Sequence, residues 1–279
     1  MGIGWTDTQK QRLLELGVES LLLNQEFEES RVREEAYQKL EHKLVIDNRK
    51  ALLEKKNKAT RPALNQLESA LTNCLTQAGF AQVTTPIIIS KNSLEKMTVT
   101  EDSDLAEQVF WVDRTKCLRP MLAPNLYSMM IDLHRICGDQ VRIFEIGPCF
   151  RKESQGKYHL NEFTMLNLVE MGVQEGKQEE RLRELIKLVM DSLHITDYRV
   201  EKDSSEVYGE TIDVLVGDLE LCSAAYGPHR LDNLWGVFTP WVGLGIGVER
   251  LAMVLEGHRN IKKVGRSLSY LYGHRLNIK

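Results

Sequence analysis

A chain of 279 residues, 42% hydrophobic and 27% charged, has the make-up of a globular protein with room for one large domain and a smaller appendage. Its net charge of -4 excludes a uniformly basic nucleic-acid binder, and its longest apolar runs, 85–90 and 241–248, are far too short to span a membrane. Five cysteines (Cys74, Cys117, Cys137, Cys149, Cys222) without CxxC spacing read as free thiols of a reducing compartment, and residues 1–11 carry no basic-then-apolar leader, so a cytoplasmic location is expected.

Residues 1–60 read as a polar, charged, helical extension. Thr6 and Asp7 suit a helix start ahead of Leu13, Leu14 and Leu16. The stretch 27–55 is rich in Glu, Lys, Arg, Leu and Ala, all helix formers. After a junction at 55–62, Pro62 opens another helix, with Leu64, Leu67, Leu71 and Leu75 at spacings of three and four and Gly79 as its stop. Beyond Gly79 the texture changes. Expected strands fall at 81–89, 109–113, 140–146, 149–153, 161–171, 212–224 and 237–247, with helices at 124–137, 179–193 and 248–255. Hairpin-like turns join the strands as often as helices do. The pattern predicts an α+β fold built on a mainly antiparallel sheet flanked by helices, with residues 61–279 as its main domain.

Three segments carry chemistry. On the helix near Pro124, Ala123, Leu126, Tyr127 and Met130 fall at i, i+3, i+4 and i+7 and share a face, either as core or as a cavity wall. Met129, Leu133 and Ile136 make the other side apolar too, so burial on more than one face is expected. In the strands 149–153 and 161–169, alternation puts Arg151 and Glu153 on one side, and likewise Phe163, Met165, Asn167 and Val169. An Arg on a sheet face needs an anion, which is either Glu153 or a ligand phosphate or carboxylate gripped bidentately. Asn167 on an apolar face needs a partner in the fold or in a ligand. The third segment, Gly243-Leu-Gly-Ile-Gly-Val-Glu-Arg250, alternates its glycines as GxGxG, which is the wrong spacing for a dinucleotide loop and clears one face of a strand for a flat ligand.

These segments appear in the order used by the class II aminoacyl-tRNA synthetases. The helix 62–78 with the strand ending at Pro86 resembles motif 1, Arg151-Lys-Glu153 and the hairpin after it resemble motif 2, and 243–250 resembles motif 3. LRPMLAPNLY (118–127), FEIGPCFRKE (144–153), EFTMLN (162–167), VYG (207–209) and GDLEL (217–221) resemble the branch of that family that activates pyrrolysine, a long N-acylated lysine. The resemblance covers roughly residues 60–270 and suits the short form of the family, without a separate N-terminal tRNA-binding domain.

The resemblance implies roles residue by residue. Arg151 would hold the α-phosphate and the attacking carboxylate, Glu153 would meet the adenine amino group, and Phe163 would stack on adenine. Arg250 would bind the γ-phosphate of a bent ATP, with His159 approaching the phosphates. Glu220 and Ser223 would hold Mg²⁺, which strict alternation forbids unless the strand bulges between them. Ala123, Leu126, Tyr127, Met130, Val169 and Trp241 would form a deep apolar pocket, with Cys222 and Ala225 at its wall. Asn167 would hydrogen-bond the substrate amide, and Tyr208 would close over the ring as a lid. Implied partners are ATP, pyrrolysine and its tRNA, with a homodimer through motif 1. The basic stretches 49–61, including Lys55, Lys56 and Lys58, and 257–279 are either solvated faces or tRNA contacts. Two other readings share the motifs: a class II synthetase for another amino acid, and a non-catalytic, tRNA-binding paralogue. Asn167 and the deep pocket argue against the first, and intact Arg151 and Arg250 against the second.

Overall fold

The computed structural model describes residues 2–138, 140–152, 156–205 and 207–276. In chain order its regular elements are α1 (Asp7–Leu16), α2 (Ser30–Asn57), α3 (Ala63–Gln77), β1 (Ala81–Gln82), β2 (Ile88–Ser90), α4 (Lys91–Glu95), α5 (Asp104–Glu107), β3 (Lys116–Leu118), α6 (Ala123–Cys137), β4 (Val141–Phe150), β5 (Glu162–Met171), α7 (Gln178–Ser192), β6 (Arg199–Ser205), β7 (Gly209–Val216), β8 (Leu219–Gly227), β9 (Trp241–Gly247), α8 (Val248–Leu255), β10 (Tyr270–Leu271) and β11 (His274–Arg275). Contacts group them into two units, 1–63 with 262–279, and 64–261.

In the first unit, α1 starts where Thr6 accepts the backbone N–H of Gln9 and the Gln9 side chain reciprocates, a capping box. The helix ends at Gly17, whose φ of 84° is open to glycine at little cost. Trp5, Leu13, Val18 and Phe27 form a small core against Tyr37, Leu40 and Leu44 of α2. Buried Asn48 donates to the carbonyls of Leu16 and Leu44, and its own carbonyl faces His274 and the Arg275 N–H, tying the β10–β11 hairpin to both helices. The sequence pattern had separated residues 1–60 from everything after them; by contacts the C-terminal hairpin groups with those N-terminal helices.

The second unit is built on a seven-stranded sheet of order β1-β4-β5-β9-β8-β7-β6. Only β1–β4 is parallel, and every other pairing is antiparallel. This is the mainly antiparallel α+β sheet expected. Leu64, Leu67, Leu71 and Leu75 of α3 are all buried, each contributing about 1.5–3 kcal/mol on leaving water. On α6, Ala123, Leu126, Tyr127 and Met130 pack with Val141, Ile143, Val169, Met171 and Trp241. The opposite side of α6 is only half-buried, and Ile136 is 78% exposed.

Strand bounds shift in physically readable ways. The two strands expected at 140–146 and 149–153 are one continuous β4, which ends at Phe150, so Arg151 follows the strand. The segment 81–89 breaks after Gln82 and resumes at Ile88, with Pro86 in the gap, and the Thr85 N–H goes to the Glu145 carboxylate instead of a ladder. Residues 109–113 make a single bridge, Trp111 to Cys117. Residues 212–224 divide into β7 and β8 around Gly217, which has φ 56°. No helix among the described residues is long and apolar enough to cross a membrane.

Candidate active site

A cavity of about 520 Å³ opens on one face of the sheet, within the usual size range of small-molecule sites. The glycines of β9 create its floor. Gly243, Gly245 and Gly247 line it, while Val242 before them and Ile246 between them are fully buried. A methyl group on Gly245 would come within 3.4 Å of Asn167 Oδ1 and 3.6 Å of Met165 Cε, so a side chain there would fill the space that Asn167 faces. Register carries the pattern across the sheet. Gly245 pairs with Asn167 on β5 and with Ser223 on β8, and Gly243 pairs with Val169 and Ala225.

Every site residue expected from the sequence lines this cavity except two. Glu153 lies outside the described residues. Cys222 does not line the cavity, because alternation along β8 sends it away from the face carrying Ser223; it is buried, and burial pushes its thiol pKa up.

One end of the cavity is polar. Arg151 donates through Nε to the carbonyl of Pro120 at 2.9 Å and stands 5.4 Å over the ring of Phe163. Arg250 lies in the first turn of α8, where its Nη1 donates to the carbonyl of Glu220 at 2.9 Å and lies 3.4 Å from that residue's carboxylate. Its Nη2 is 3.4 Å from His159 Nε2. Neighbouring Glu249 is buried and accepts the Thr164 N–H through both oxygens at 2.9 and 2.8 Å, locking the first turn of α8 onto β5. The register between β7 and β8 slips at Val214/Leu215, so Glu220 faces Leu215 while Cys222 faces Val214. This bulge is the one that the pairing of Glu220 with Ser223 demanded, and both residues reach the cavity. Ser223 donates its hydroxyl to Asp213 at 2.7 Å, leaving its oxygen lone pairs free. Glu220 and Ser223, the latter oriented by Asp213, present hard oxygen donors of the kind Mg²⁺ takes.

The other end is apolar and aromatic. Tyr127 stacks on Trp235 with ring centroids 5.3 Å apart and meets Trp241 edge-on at 5.7 Å. Tyr208, held by its N–H to Ser205, packs against Trp241 at 6.3 Å and His229 at 6.0 Å. Burial raises the phenol pKa of both Tyr127 and Tyr208, with the negative charge of Asp232 adding to each, so both remain neutral hydroxyl donors. Between the two ends sits Asn167, whose Oδ1 is buried without a hydrogen-bond partner. An orphaned buried amide oxygen costs about 1–3 kcal/mol, a cost that a ligand would relieve. Along β5, Phe163 and Val169 are six residues apart, which spans about 20 Å of extended strand.

Beneath α6, Arg119 and Glu145 form an ion pair of 2.8 Å with both side chains 2% exposed. Thr85, Asn125 and the carbonyl of Pro148 complete this network, which fixes the start of α6 to β4. Sequence reasoning missed Arg119 and Glu145 in this role, along with Asp213, Trp235 and Asp232. An isolated Asp in Leu-Asp-Asn-Leu offers no periodic signal, whereas Asp213 inside an apolar strand was a visible anomaly.

Comparison with known proteins agrees with the geometry. The family model for the phenylalanyl tRNA synthetase beta chain CLM domain matches residues 52–224. A crystal structure of pyrrolysyl-tRNA synthetase from Desulfitobacterium hafniense is 49% identical, with a TM-score of 0.93 and full coverage of both chains. A second structure of a pyrrolysyl-tRNA synthetase from that organism is 48% identical, with a TM-score of 0.90 over 99% of this chain and 96% of that one. The O-phosphoserine–tRNA(Cys) ligase of Methanocorpusculum labreanum is 29% identical over 47% of this chain. The chain spans between 18% and 31% of the length of the curated tRNA ligases it matches. On motif order, sheet topology and these matches, the chain belongs to the class II aminoacyl-tRNA synthetase family, within its pyrrolysyl-tRNA synthetase branch.

Proposed function

We propose that this protein activates pyrrolysine, or a similarly long N-acylated lysine, with ATP and transfers the acyl group to the 3′ end of its cognate tRNA. The observation that carries the reading is a single cavity joining a cationic, aromatic end to a deep apolar end, with the unpartnered Asn167 carbonyl between them. Phe163 stacks on adenine. Arg151 holds the α-phosphate beside the attacking carboxylate, and Arg250 with His159 holds the outer phosphates. Both guanidiniums are set before charge develops, so stabilising it needs little reorganisation. Glu220 and Ser223 hold Mg²⁺, with Asp213 orienting the serine hydroxyl; when bound, the ion neutralises phosphate charge. Glu153 is assigned the adenine amino group.

At the other end, Leu126, Met130, Val169 and Trp241 take up the aliphatic chain, with Ala123 and Ala225 leaving room for it. Tyr127 and Tyr208 enclose the ring. The amide of Asn167 recognises the substrate amide. Apolar surface discriminates weakly, about 1–3 kcal/mol per methylene, so other N-acylated lysines are accepted as well. The protein acts in the cytoplasm as a homodimer through α3 and the segment after it, and the basic residues of α2 contact tRNA.

The deciding experiment is ATP–pyrophosphate exchange with Mg²⁺, comparing pyrrolysine and an N-acylated lysine with the twenty standard amino acids. Exchange restricted to the long lysine derivatives is expected. Exchange with a standard amino acid would overturn the substrate, and silence with all of them would favour the non-catalytic paralogue.

A further inference from the structure

Asp232 is fully buried, at 0% exposure, in the short turn Arg230–Leu234, and it does not line the cavity. Its two oxygens receive donors from three parts of the chain. Oδ1 accepts the Tyr127 hydroxyl of α6 at 2.8 Å. Oδ2 accepts the Trp241 indole N–H of β9 at 2.8 Å and the backbone N–H of His229. Hydrogen bonds to a carboxylate are about twice as strong as neutral ones, and burial raises the cost of breaking them. Tyr127 is also clamped between Trp235 and Trp241, and Tyr208 rests on Trp241 and His229. Four aromatic side chains thus take their positions directly or at one remove from one carboxylate. Gly227 shows how tight the arrangement is: a methyl group there would collide with Trp241 Nε1 and come within 2.5 Å of Asp232 Oδ2.

We propose that Asp232 is the positioning residue that sets amino-acid specificity, pinning Tyr127 and Trp241 so that the apolar end keeps the depth a long acyl-lysine requires. The proposal rests on the substrate reading above. Asp232 acts through its two ring partners, which line the amino-acid end of the cavity, so its loss falls on the amino acid and spares ATP.

The test is pyrophosphate exchange by wild type and Asp232→Asn with an N-acylated lysine and with phenylalanine. Asparagine keeps the size and one acceptor but loses the charge. The KM for the acylated lysine is expected to rise about tenfold, the loss of one charged hydrogen bond, with ATP KM unchanged and selectivity over phenylalanine reduced. A purely structural role would lower kcat for both substrates through a smaller active fraction and leave KM and selectivity alone, which would overturn the proposal. Tyr127→Phe removes a single donor and should shift selectivity the same way, with less further effect from adding Asp232→Asn than in wild type. Fully additive effects would overturn the coupling. If Asp232→Asn does not fold, unchanged selectivity in Tyr127→Phe overturns the proposal by itself. Wild type failing to exchange with any lysine derivative would defeat the substrate reading and this inference together, whereas normal wild-type exchange with unchanged Asp232→Asn selectivity defeats this inference alone.

Discussion

Asn167 holds a buried polar atom that the fold leaves unsatisfied, so removing it costs the protein little and the substrate much. Asn167→Ala is expected to leave the thermal midpoint within a few degrees, to raise KM for acylated lysines by roughly tenfold or more, and to relax selectivity toward aromatic amino acids. Steady-state kinetics with both substrate types checks this, and unchanged selectivity would refute the role. Gly227 gives the opposite case. Gly227→Ala forces a side chain against Trp241 and Asp232, and overpacking of this kind costs about 1–3 kcal/mol, read as a lower denaturation midpoint. At this scale the sequence was informative where spacing carried the signal. Period-two alternation placed Asn167 with Phe163 and Val169, and the alternate glycines marked the floor. Asp232 was invisible because its Tyr127 partner lies 105 residues away, and no local pattern anticipates a contact at that range.

Elements position these residues, and α8 is the clearest example. Both oxygens of Glu249 accept the buried Thr164 N–H, so Glu249→Ala removes both of these bonds. A loss of about 1–3 kcal/mol is expected, together with a raised KM for ATP because Arg250 sits on the loosened turn. Denaturation and ATP kinetics measure the two effects separately, and a normal ATP KM would mean that Arg250 is held by Glu220 and His159 alone. α3 and β5 were legible because their apolar periodicity is strong, and α2 because its residues are helix formers. β6 was missed because Arg-Val-Glu-Lys-Asp-Ser-Ser is an exposed edge strand with little hydrophobic signal. The segment 109–113 was overread because an apolar run looks like a strand whether or not a neighbour is there to pair with it. The β8 bulge was inferred only as a condition for Glu220 and Ser223 to act together, and the register slip meets that condition.

For the molecule as a whole, charge and protonation set the behaviour. Lys56 of α2 and Lys58, which caps that helix, are exposed, Lys58 in a surface ion pair with Glu54 at 2.6 Å, whereas Lys55 is engaged with the carbonyl and ring of Tyr272. Reversing Lys56 and Lys58 to Glu is therefore the cleaner test of tRNA contact. A several-fold higher KM for tRNA is expected, with a shallower salt dependence and normal pyrophosphate exchange; loss of exchange would point to folding instead. Alkaline stability follows from burial. Desolvation pushes Cys117 to about 11 and Cys149 to about 12 from an ordinary value of 9.0, and Tyr127 and Tyr208 lie well above the ordinary phenol. Between the unfolded and folded values the folded chain binds more protons, so stability is complete below pH 9 and falls as pH rises through 9–12. Denaturation midpoints across that window should decline; a flat profile would mean that these groups ionise freely in the folded state.

Asn167 and Ser223 both pair with Gly245, so they occupy one rung of the sheet two strand spacings apart, about 9.5 Å. Backbone hydrogen bonds on both sides fix that interval. On the proposed reading, the group that recognises the acyl amide and the group beside the phosphates therefore form a gauge. The gauge spans from the substrate's side-chain amide to the phosphate side of the site. The interval between the two is therefore set by the sheet, and substitutions in the permissive walls leave it unchanged.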